Sequence, residues 1–312
     1  MFPVYNDVFG NLGRKPKTDR RKKRYERKII KMSNMFRGGV LLHKGTRDDS
    51  NVDVYRCSEC GTKFLNTADR ENDYENGFMY ENDPLSELDI TQRLQVFQED
   101  DIRRFQMVKE ICTGKKVLDF GCGFGGFLHY IAQAADSCCG VELGREERNY
   151  LNNKGIKCLR TIEETTEKYD VITLFHVFEH LSDPRKWLDN FSKYLIHGGY
   201  LIIEVPHADD ALLSLYENDK FADFTYWSAH LFLYTVGSLS MLIEECGKYS
   251  IESAGQIQRY TLANHLMWLA KGVPGGHNKW DFLDSEELKI SYEQKLRELQ
   301  MCDTLFFILK RK

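Results

Sequence analysis

The sequence predicts an α/β fold built on a doubly wound, mostly parallel sheet, and three observations lead to this prediction. A buried strand at 117–120 runs into a glycine-rich turn and then into a helix that begins near Gly126. Short apolar segments alternate with amphipathic segments through 137–206, which requires parallel strands joined by right-handed helical crossovers. Two apolar segments near the end of the chain favour an antiparallel edge on this sheet.

The elements follow one another in a regular order on both sides of the glycine turn. Apolar spacing from 88 to 111 predicts helices that lead into the turn. After the turn, the predicted strands are 137–143, 156–159, 170–175 and 199–206, and the predicted helices are 145–155, 161–168 and 184–195. A helix at 236–247 and strands at 249–260 and 303–310 complete a predicted sheet of seven strands.

Composition divides the 312 residues into an N-terminal part and one large domain. The predicted parts are a basic arm (1–35), a degenerate zinc-ribbon-like segment with a linker (36–80), and the main domain (81–312), which carries insertions at 208–234 and 259–300. Positions 14–28 hold ten basic and two acidic residues, a net charge of +8. Because the whole chain has a net charge of −4, the remaining residues carry −12. Such an arm suits the phosphates of nucleic acid or of anionic lipid, and a solvated, partly helical tail is the alternative.

Cys57-x-x-Cys60-Gly, followed by the aromatic Phe64, has the form of a zinc knuckle. A structural zinc ion has four ligands, and no second Cys-x-x-Cys pair occurs nearby. The two thiols therefore predict half of a metal site, and a ribbon-like fold without the metal is the alternative.

Several features bear on the compartment of the protein. No apolar run reaches the length of roughly 20 residues that crosses a bilayer, and the first residues place their charges after their apolar residues, opposite to a secretory signal. The nine cysteines are an odd number scattered along the chain, as expected of reduced thiols. We expect a cytoplasmic protein, and no sequence feature defines its oligomeric state.

The glycine turn at 121–126 is the predicted ligand site. Glycines permit positive φ and a close ligand approach, and ligands of doubly wound sheets bind at the carboxyl ends of the strands. The turn fits G-x-G-x-x-G, which alone does not separate a nicotinamide dinucleotide from other adenosyl ligands. Asp119 would repel a pyrophosphate but attract a cationic amino-acid tail, and Glu142, 23 positions further on, suits a ribose diol.

The segment VLDFGCGFGGFL resembles motif I of class I S-adenosylmethionine (SAM)-dependent methyltransferases, and GVEL is similar to the acidic end of their second strand. DVITLFHVFEHLSDP is similar to the fourth-strand segment of ubiquinone-type and sugar-modifying members, and GGYLIIEVPH occupies the fifth-strand position. The four motifs occur in the correct order between Lys115 and Gly247. The resemblance implies a Rossmann-like, seven-stranded methyltransferase sheet with an antiparallel edge and SAM as the cofactor.

The same resemblance implies a set of SAM-binding residues at the strand ends. Asp119 and the glycine turn would hold the methionine part, Glu142 the ribose hydroxyls, and Ile162 with Glu163 the adenine. The sulfonium side would be lined by two further residues after the fourth strand. The complete set is Asp119, Gly121, Cys122, Gly123, Phe124, Glu142, Leu143, Ile162, Glu163, His176 and Val177.

Three histidines just past predicted strand ends are candidate catalytic bases: His176, His207 and His230. A hydroxyl acceptor needs a base for its proton, and an imidazole has a suitable pKa. For His230, packing beneath the following helix is the alternative. In the insertion at 208–234, Tyr226 and Trp227 are the predicted stacking face for a sugar or ring. Donors and aromatic residues in the insertion at 259–300 favour a lid, with an oligomer contact as the alternative.

The pattern YRCxxCGxxF before a Tyr-rich linker and motif I is similar to methyltransferases of bacterial surface-polysaccharide and sugar biosynthesis. The predicted acceptor is therefore a hydroxyl of a sugar, nucleotide-sugar or surface glycan, although this chain lacks the first cysteine pair of that pattern. One alternative is an RNA methyltransferase that uses 14–28 and the knuckle-like pair, against which the fourth strand carries no Asn-Pro-Pro-Tyr motif. The other alternative is a non-catalytic SAM-binding module.

His176-x-x-Glu179-His180 matches a zinc pattern of some peptidases, in which two histidines on one helical face bind the metal. The pattern begins where a strand ends, and Asp183-Pro184 follows shortly, which disfavours a continuous helix. We therefore favour an ordering role, in which Glu179 and His180 fix the loop by hydrogen bonding.

Overall fold

The structure, a computed structural model, describes residues 39–66 and 87–312. The predicted basic arm at 1–35, with its charged stretch at 14–28, lies outside the described residues, as does most of the predicted linker. In the part of the chain that is described, no helix is long and apolar enough to cross a membrane.

The elements are numbered here in chain order. The strands are β1 (Gly39–His43), β2 (Val54–Cys57), β3 (Lys63–Leu65), β4 (Lys116–Phe120), β5 (Ser137–Val141), β6 (Cys158–Leu159), β7 (Tyr169–Phe175), β8 (Leu195–Pro206), β9 (Phe232–Leu233), β10 (Tyr249–Ile257) and β11 (Thr304–Arg311). The helices are α1 (Glu87–Cys112), α2 (Gly126–Ile131), α3 (Arg145–Asn153), α4 (Pro184–Tyr194), α5 (Ala211–Ser214), α6 (Asp219–Thr225), α7 (Val236–Cys246), α8 (Leu262–Lys271), α9 (Gly276–Lys279) and α10 (Glu286–Glu298).

Seven strands form the main sheet in the order β10-β11-β8-β7-β4-β5-β6. Strands β4 to β8 pair in parallel, whereas β11 runs antiparallel to both β8 and β10. The predicted α/β fold, a seven-stranded sheet with an antiparallel edge, is confirmed. The chain leaves β4 towards β5 on one side and returns as β7 on the other, so the glycine turn after β4 lies at the topological switch point.

Alternating side chains of the central strands divide the apolar core between the two faces of the sheet. Val117 and Val171 belong to one buried cluster, and their neighbours Leu118 and Ile172 belong to the other. Because successive strand residues point to opposite faces, fully buried neighbours mean that helices cover both sides. This rigid central sheet fixes the positions at which the strand ends present polar residues.

The helix predicted at 161–168 is wrong. Only a single turn of 3-10 helix forms there, at Ile162–Glu164. Thr161 and Thr165 flank this turn in extended conformation, with φ of −136° and −118°. The β-branched threonines lose side-chain freedom in a helix and are readily accommodated in extended backbone. The helical segment is therefore limited to the single turn between them.

The N-terminal segment is joined to the main domain by a second, four-stranded sheet of order β1-β2-β3-β9. Its strands pair antiparallel, and β9 comes from the predicted insertion at 208–234. Lys63 on β3 also donates a hydrogen bond of 2.6 Å from Nζ to the carbonyl oxygen of Ala208. The knuckle-like segment therefore shares a sheet with the insertion that was predicted to form the acceptor pocket.

Candidate active site

The glycine turn connects β4 to α2 in a conformation that needs glycine. Gly121, Gly123 and Gly125 have φ of +77°, +52° and +74°, values that L side chains rarely adopt. At Gly121 a second constraint applies, because an added Cβ would lie 2.4 Å from Cγ2 of Val177. The backbone N–H groups of Gly121 and Cys122 donate to the carbonyl oxygen of Val141 at 2.7 and 3.2 Å. The turn is thus fixed against the ends of β5 and β7.

Glu142 lies directly beside this turn, at the end of β5. Its Oε2 accepts a hydrogen bond of 2.9 Å from the backbone N–H of Gly123, and its Oε1 accepts one of 2.8 Å from Gly144. The side chain of Arg148 donates to the backbone carbonyl oxygens of Glu142 and Leu143 at 2.8 and 2.5 Å. The carboxylate is therefore held at the edge of the turn, and each oxygen retains a lone pair for a further donor such as a hydroxyl group.

Asp119 is buried under the turn, with 4% of its surface exposed. Thr173 on β7 donates a hydrogen bond of 2.6 Å from Oγ1 to its Oδ1. Burial raises the pKa of Asp119 to about 7, an effect that the Thr173 hydrogen bond and Arg104 oppose and that the nearby charges of Asp101 and Glu142 reinforce. The carboxyl group is therefore near its titration midpoint at neutral pH, and a cationic ligand would favour its charged form.

An ionic cluster next to the turn was not predicted from the sequence. Glu204 on β8 is fully buried and accepts hydrogen bonds from Arg103 at 2.9 Å and from Arg104 at 2.7 Å. His176 Nε2 lies 3.2 Å from Glu204 Oε1 and 3.0 Å from Nη1 of Arg259. No local pattern signals this cluster, because its members come from α1, β8 and two separate loops.

The three candidate bases lie in different surroundings. His176, at the end of β7, has a φ of +55°, a conformation that is strained for a non-glycine residue and is common at functional sites. His207 is 3% exposed, its Nδ1 donates to the carbonyl oxygen of Cys302 at 2.8 Å, and burial lowers its pKa. His230 packs against His180, with 4.9 Å between the ring centroids and an angle of 58° between the ring planes. The structure thus places His176 beside Glu204 and Glu179, groups His230 with Glu179 and His180, and ties His207 to the loop before β11.

The environment of His230 is unusual for a surface loop. Burial lowers the pKa of His230 to about 3, with the neighbouring His180 acting in the same direction and Glu179 in the opposite one. Within residues 39–66 and 87–312, its Nδ1 is buried without a hydrogen-bond partner. The imidazole is therefore neutral over the physiological range and retains an unused polar atom.

The side chains of the remaining predicted SAM-binding residues have structural contacts of their own. Cys122 Sγ lies 3.7 Å from Cys158 Sγ beneath the turn, and Phe124 packs edge-on against Tyr150. Ile162 is fully buried in a core cluster, while Glu163 accepts a hydrogen bond of 3.2 Å from Asn190. The side chains of Cys122 and Ile162 are therefore engaged in packing, so these two residues would contact a ligand through their backbone groups.

The prediction of Tyr226 and Trp227 as a stacking face needs correction. Tyr226 is only 5% exposed and packs against Lys63, whose Nζ lies 5.8 Å from the ring centroid. The guanidinium of Arg47 covers Trp227 at 4.5 Å from the ring centroid. Both rings were predicted to stack on an acceptor because they are aromatic. In the structure, Lys63 and Arg47 of the N-terminal segment pack on the ring faces instead.

Cys57 and Cys60 lie at a cavity of about 640 Å³ that is also lined by Arg56 and Asp209. Cys57 is buried, and burial raises the pKa of the half-buried Cys60 thiol. In the described part of the chain, no third histidine, cysteine or carboxylate joins these two thiols to form a metal-binding group. Zinc at this pair remains a prediction.

The fold and the glycine turn with its two carboxylates define a class I SAM-dependent methyltransferase domain. A family model described as a methyltransferase domain matches residues 91–250, and the chain belongs to this family. The match begins within α1 and ends in β10, so it covers the glycine turn, Asp119, Glu142 and the three candidate histidines.

Three individual proteins illustrate the similarity. The ubiquinone biosynthesis O-methyltransferase of Aliivibrio fischeri is 31% identical over 28% of this chain and 42% of its own length. The C-methyltransferase NovU of Streptomyces niveus is 27% identical over 44% of this chain and 33% of its own length. A SAM-dependent methyltransferase structure from Archaeoglobus fulgidus aligns with a TM-score of 0.46 at 19% identity, over 70% of this chain and 94% of that one. The chain spans less than half the length of these two curated relatives.

Proposed function

We propose that the protein transfers the methyl group of SAM to a hydroxyl group of a sugar, a nucleotide-sugar or a surface glycan. The observation that carries the proposal is the arrangement at the carboxyl ends of the strands, where the glycine turn, Asp119 and Glu142 adjoin His176. His230 lies on the insertion side of the same region. Methyl transfer from a sulfonium requires a donor and an acceptor held in near-attack geometry with water excluded. We infer that His176, which directly precedes the Val177 side chain packed on Gly121, and the insertion that carries His230 position the acceptor.

On the donor side, opposite charges support SAM over a dinucleotide. Asp119 presents a buried carboxyl group to the turn, and a methionine ammonium group would pair with its charged form. Glu142 supplies acceptor oxygens for two ribose hydroxyls. A pyrophosphate in the same position would meet two carboxylates, which opposes its binding.

The affinity for SAM is expected to rise with pH as Asp119 ionises. The folded protein without donor holds the pKa of Asp119 at about 7, and the donor ammonium pairs only with the carboxylate. Affinity should therefore fall by up to about tenfold per pH unit below pH 7 and level off above it. Calorimetry between about pH 5.5 and 7.5 measures this, below the range in which an α-amino group titrates.

The control for this profile is Asp119→Asn, which retains the shape of the side chain but cannot ionise. Burial also raises the pKa of the neighbouring Asp101, to about 6, so the wild-type profile alone would not identify the titrating group. A flat profile in Asp119→Asn assigns the dependence to Asp119. An unchanged slope in that variant would contradict the assignment of Asp119 to the ammonium group.

On the acceptor side, the hydroxyl must lose its proton as the new bond forms. His230 and His176 are the candidate bases, because both lie beside the buried carboxylate Glu179; for His230 this carboxylate offsets only part of the lowering of the pKa by burial. His176 Nδ1 is 3.5 Å from Glu179 Oε1, and Glu179 opposes the lowering of the pKa of His230. His207 is the weaker candidate, since the carbonyl oxygen of Cys302 already engages its Nδ1.

Replacing His230 with alanine is expected to reduce kcat by about 10²- to 10⁴-fold, the range of a lost acid–base group, without changing the affinity for SAM. Steady-state kinetics together with donor calorimetry measure the two effects separately. The matched control is His197→Ala, which removes an exposed imidazole near the start of β8. If His230 only packs beneath α7, the variant will be less stable but its folded fraction will turn over normally.

The acceptor is tested by incubating the full chain with methyl-tritiated SAM and fractionated cell extract. We expect label in nucleotide-sugars or glycans, and label confined to RNA would contradict the sugar acceptor. The similarity to relatives named as an O-methyltransferase and a C-methyltransferase means that the labelled atom must also be identified, by mass spectrometry of the product. Label attached to carbon would retain the methyltransferase assignment and overturn the hydroxyl.

A further inference from the structure

Three side chains converge on one point at the insertion 208–234: Glu179, His180 and His230. Glu179 and His180 end the single 3-10 turn Phe178–His180 that follows β7, and His230 comes from the loop before β9. Each residue contributes one potential ligand atom, and these atoms all lie within 4.8 Å of one another. Residues far apart in the chain thus present two imidazoles and one carboxylate to a common centre.

The carboxylate of Glu179 has no hydrogen bond that explains its burial. It is fully buried, and within residues 39–66 and 87–312 neither of its oxygens has a hydrogen-bond donor. The nearest ring nitrogen, His176 Nδ1, is 3.5 Å away. The predicted ordering of this loop by hydrogen bonding is seen at His180, which bonds the carbonyl oxygen of Ala229, whereas Glu179 has only histidines at ion-pair distance. Buried carboxylates are normally hydrogen-bonded, paired or bound to a metal ion.

Other buried polar atoms around Glu179 also lack partners among the described residues. They are Nδ1 of His230 and the hydroxyl oxygen of Tyr234. Burial raises the pKa of Tyr234, and the nearby carboxylate of Glu179 raises it further. Unsatisfied buried polar atoms are rare in folded proteins, and each indicates a bound water, an ion or a functional role. Several such atoms in one place indicate that a polar species belongs between them.

His180 is oriented as a metal-binding histidine normally is. Its Nδ1 donates a hydrogen bond of 2.8 Å to the carbonyl oxygen of Ala229, which fixes the tautomer and leaves Nε2 as the ligating nitrogen. That Nε2 lies 3.9 Å from Oε1 of Glu179. When two ligand atoms each lie about 2.0 to 2.1 Å from one zinc ion, the distance between them is slightly shorter than the distance between Nε2 and Oε1 seen here. Small rotations of these side chains would close that gap.

We propose that Glu179, His180 and His230 bind a divalent first-row transition-metal ion, with Zn²⁺ as the best-suited ion. Two imidazoles and one carboxylate form a ligand set of catalytic zinc sites, which keep a coordination position open for water or substrate. The site goes beyond the proposed methyl transfer, because its geometry involves neither the glycine turn nor Asp119. The predicted half site at Cys57 and Cys60 is a separate location.

The site would act on the acceptor rather than on the donor. A cation bound at the insertion 208–234 would polarise a hydroxyl group that occupies the open coordination position of the ion, and it would lower the pKa of that hydroxyl group. In the loaded protein His230 holds the ion and takes no proton, so the proton would pass to the neighbouring His176. A sugar or other acceptor with a hydroxyl able to reach the ion is the substrate class that this arrangement fits.

Binding of Zn²⁺ alone, without SAM or acceptor, tests the proposal on the full chain. The protein is first stripped with a chelator, and a Cys57→Ser/Cys60→Ser background removes the knuckle thiols from the measurement. The segments outside the described residues contain neither histidine nor cysteine. We expect one equivalent of zinc by atomic emission, and a Co²⁺-substituted form with d–d bands in the visible range and no thiolate charge-transfer band in the near ultraviolet.

Single variants in the same background identify the ligands. Glu179→Gln and His230→Asn should each weaken zinc binding by about 100-fold or more, beyond the 10- to 100-fold that even second-shell partners contribute. The matched control, His197→Asn, changes an exposed imidazole and should bind zinc normally. Zinc should raise the Tm of the background protein but not that of the two ligand variants, and unfolding curves without metal show that both variants fold.

Several outcomes would overturn the site. One is a Cys57→Ser/Cys60→Ser protein that binds no zinc, which would leave ordered waters as the partners of the unsatisfied atoms. Another is zinc binding that survives in both Glu179→Gln and His230→Asn. Because metal is measured without donor or acceptor, failure here leaves the methyltransferase proposal intact, and failure of donor binding in calorimetry leaves the zinc result intact.

Discussion

Replacing Glu204 with glutamine is expected to lower the free energy of unfolding by about 3 to 5 kcal/mol, the cost of breaking a buried ion pair from one side. Glu204 is fully buried and receives hydrogen bonds from the guanidinium groups of Arg103 and Arg104. Glutamine fills the same space but carries no charge, so the two cations remain desolvated, with Asp100 and Asp101 as their acidic partners among the described residues. Equilibrium denaturation in urea measures the loss.

A double-mutant cycle separates the ion pair from the general effect of changing a buried residue. Adding Arg104→Met to Glu204→Gln removes one of the stranded charges and should recover part of the loss. The matched control is Glu167→Gln on the surface, where a carboxylate paired with Lys157 at 3.0 Å is solvent-exposed and its removal should have little effect. A loss for Glu204→Gln as small as that of the control would contradict the importance of the cluster.

Gly121→Ala is expected to weaken SAM binding by about 10- to 100-fold through two separate costs. Alanine at a φ of +77° is strained by roughly 1 to 2 kcal/mol. Its Cβ would also approach Val177 Cγ2 to 2.4 Å, and overpacking of this kind costs about 1 to 3 kcal/mol. The turn can relieve both costs only by moving away from its native conformation, which displaces the backbone expected to contact the donor. Calorimetry with SAM measures the change.

Two further variants apportion this effect. Gly247→Ala has a similar φ of +70° with open space around the added Cβ, and it lies at the end of α7, so it should cost stability without changing donor affinity. Val177→Ala in the Gly121→Ala background removes the overlapping methyl groups and should restore part of the affinity. Wild-type affinity in Gly121→Ala would contradict the placement of the donor against this turn.

The glycine turn and its two carboxylates, to which we assign the donor, were predictable because their information is local. Asp119, the glycine turn and α2 follow one another within a few positions, and a strand that runs into glycines and then into a helix has few other interpretations. Glu142 could be predicted for the same reason, since it ends the next strand. The helix predicted at 161–168 failed because helical propensity was weighed without the extended backbone on either side of Ile162–Glu164.

The acceptor half could not be predicted in the same way. Tyr226 and Trp227 were expected to face an acceptor, but Lys63 and Arg47 from the N-terminal segment cover them. Asp48 likewise binds the backbone N–H of Ser228 across 180 positions of sequence. No periodicity or spacing connects such partners, because their meeting depends on β3 pairing with β9.

The sequence by itself determined the α/β class, the order of the strands along the chain and the position of the glycine turn, because each depends on side chains that are neighbours in the chain. Tertiary structure alone decided that Glu204 meets arginines 100 positions away and that Glu179 shares a centre with His230. These contacts arise when a helix, a strand and loops that are distant in sequence meet at one edge of the sheet. Their energies depend on burial and distance, which exist only once the chain has folded.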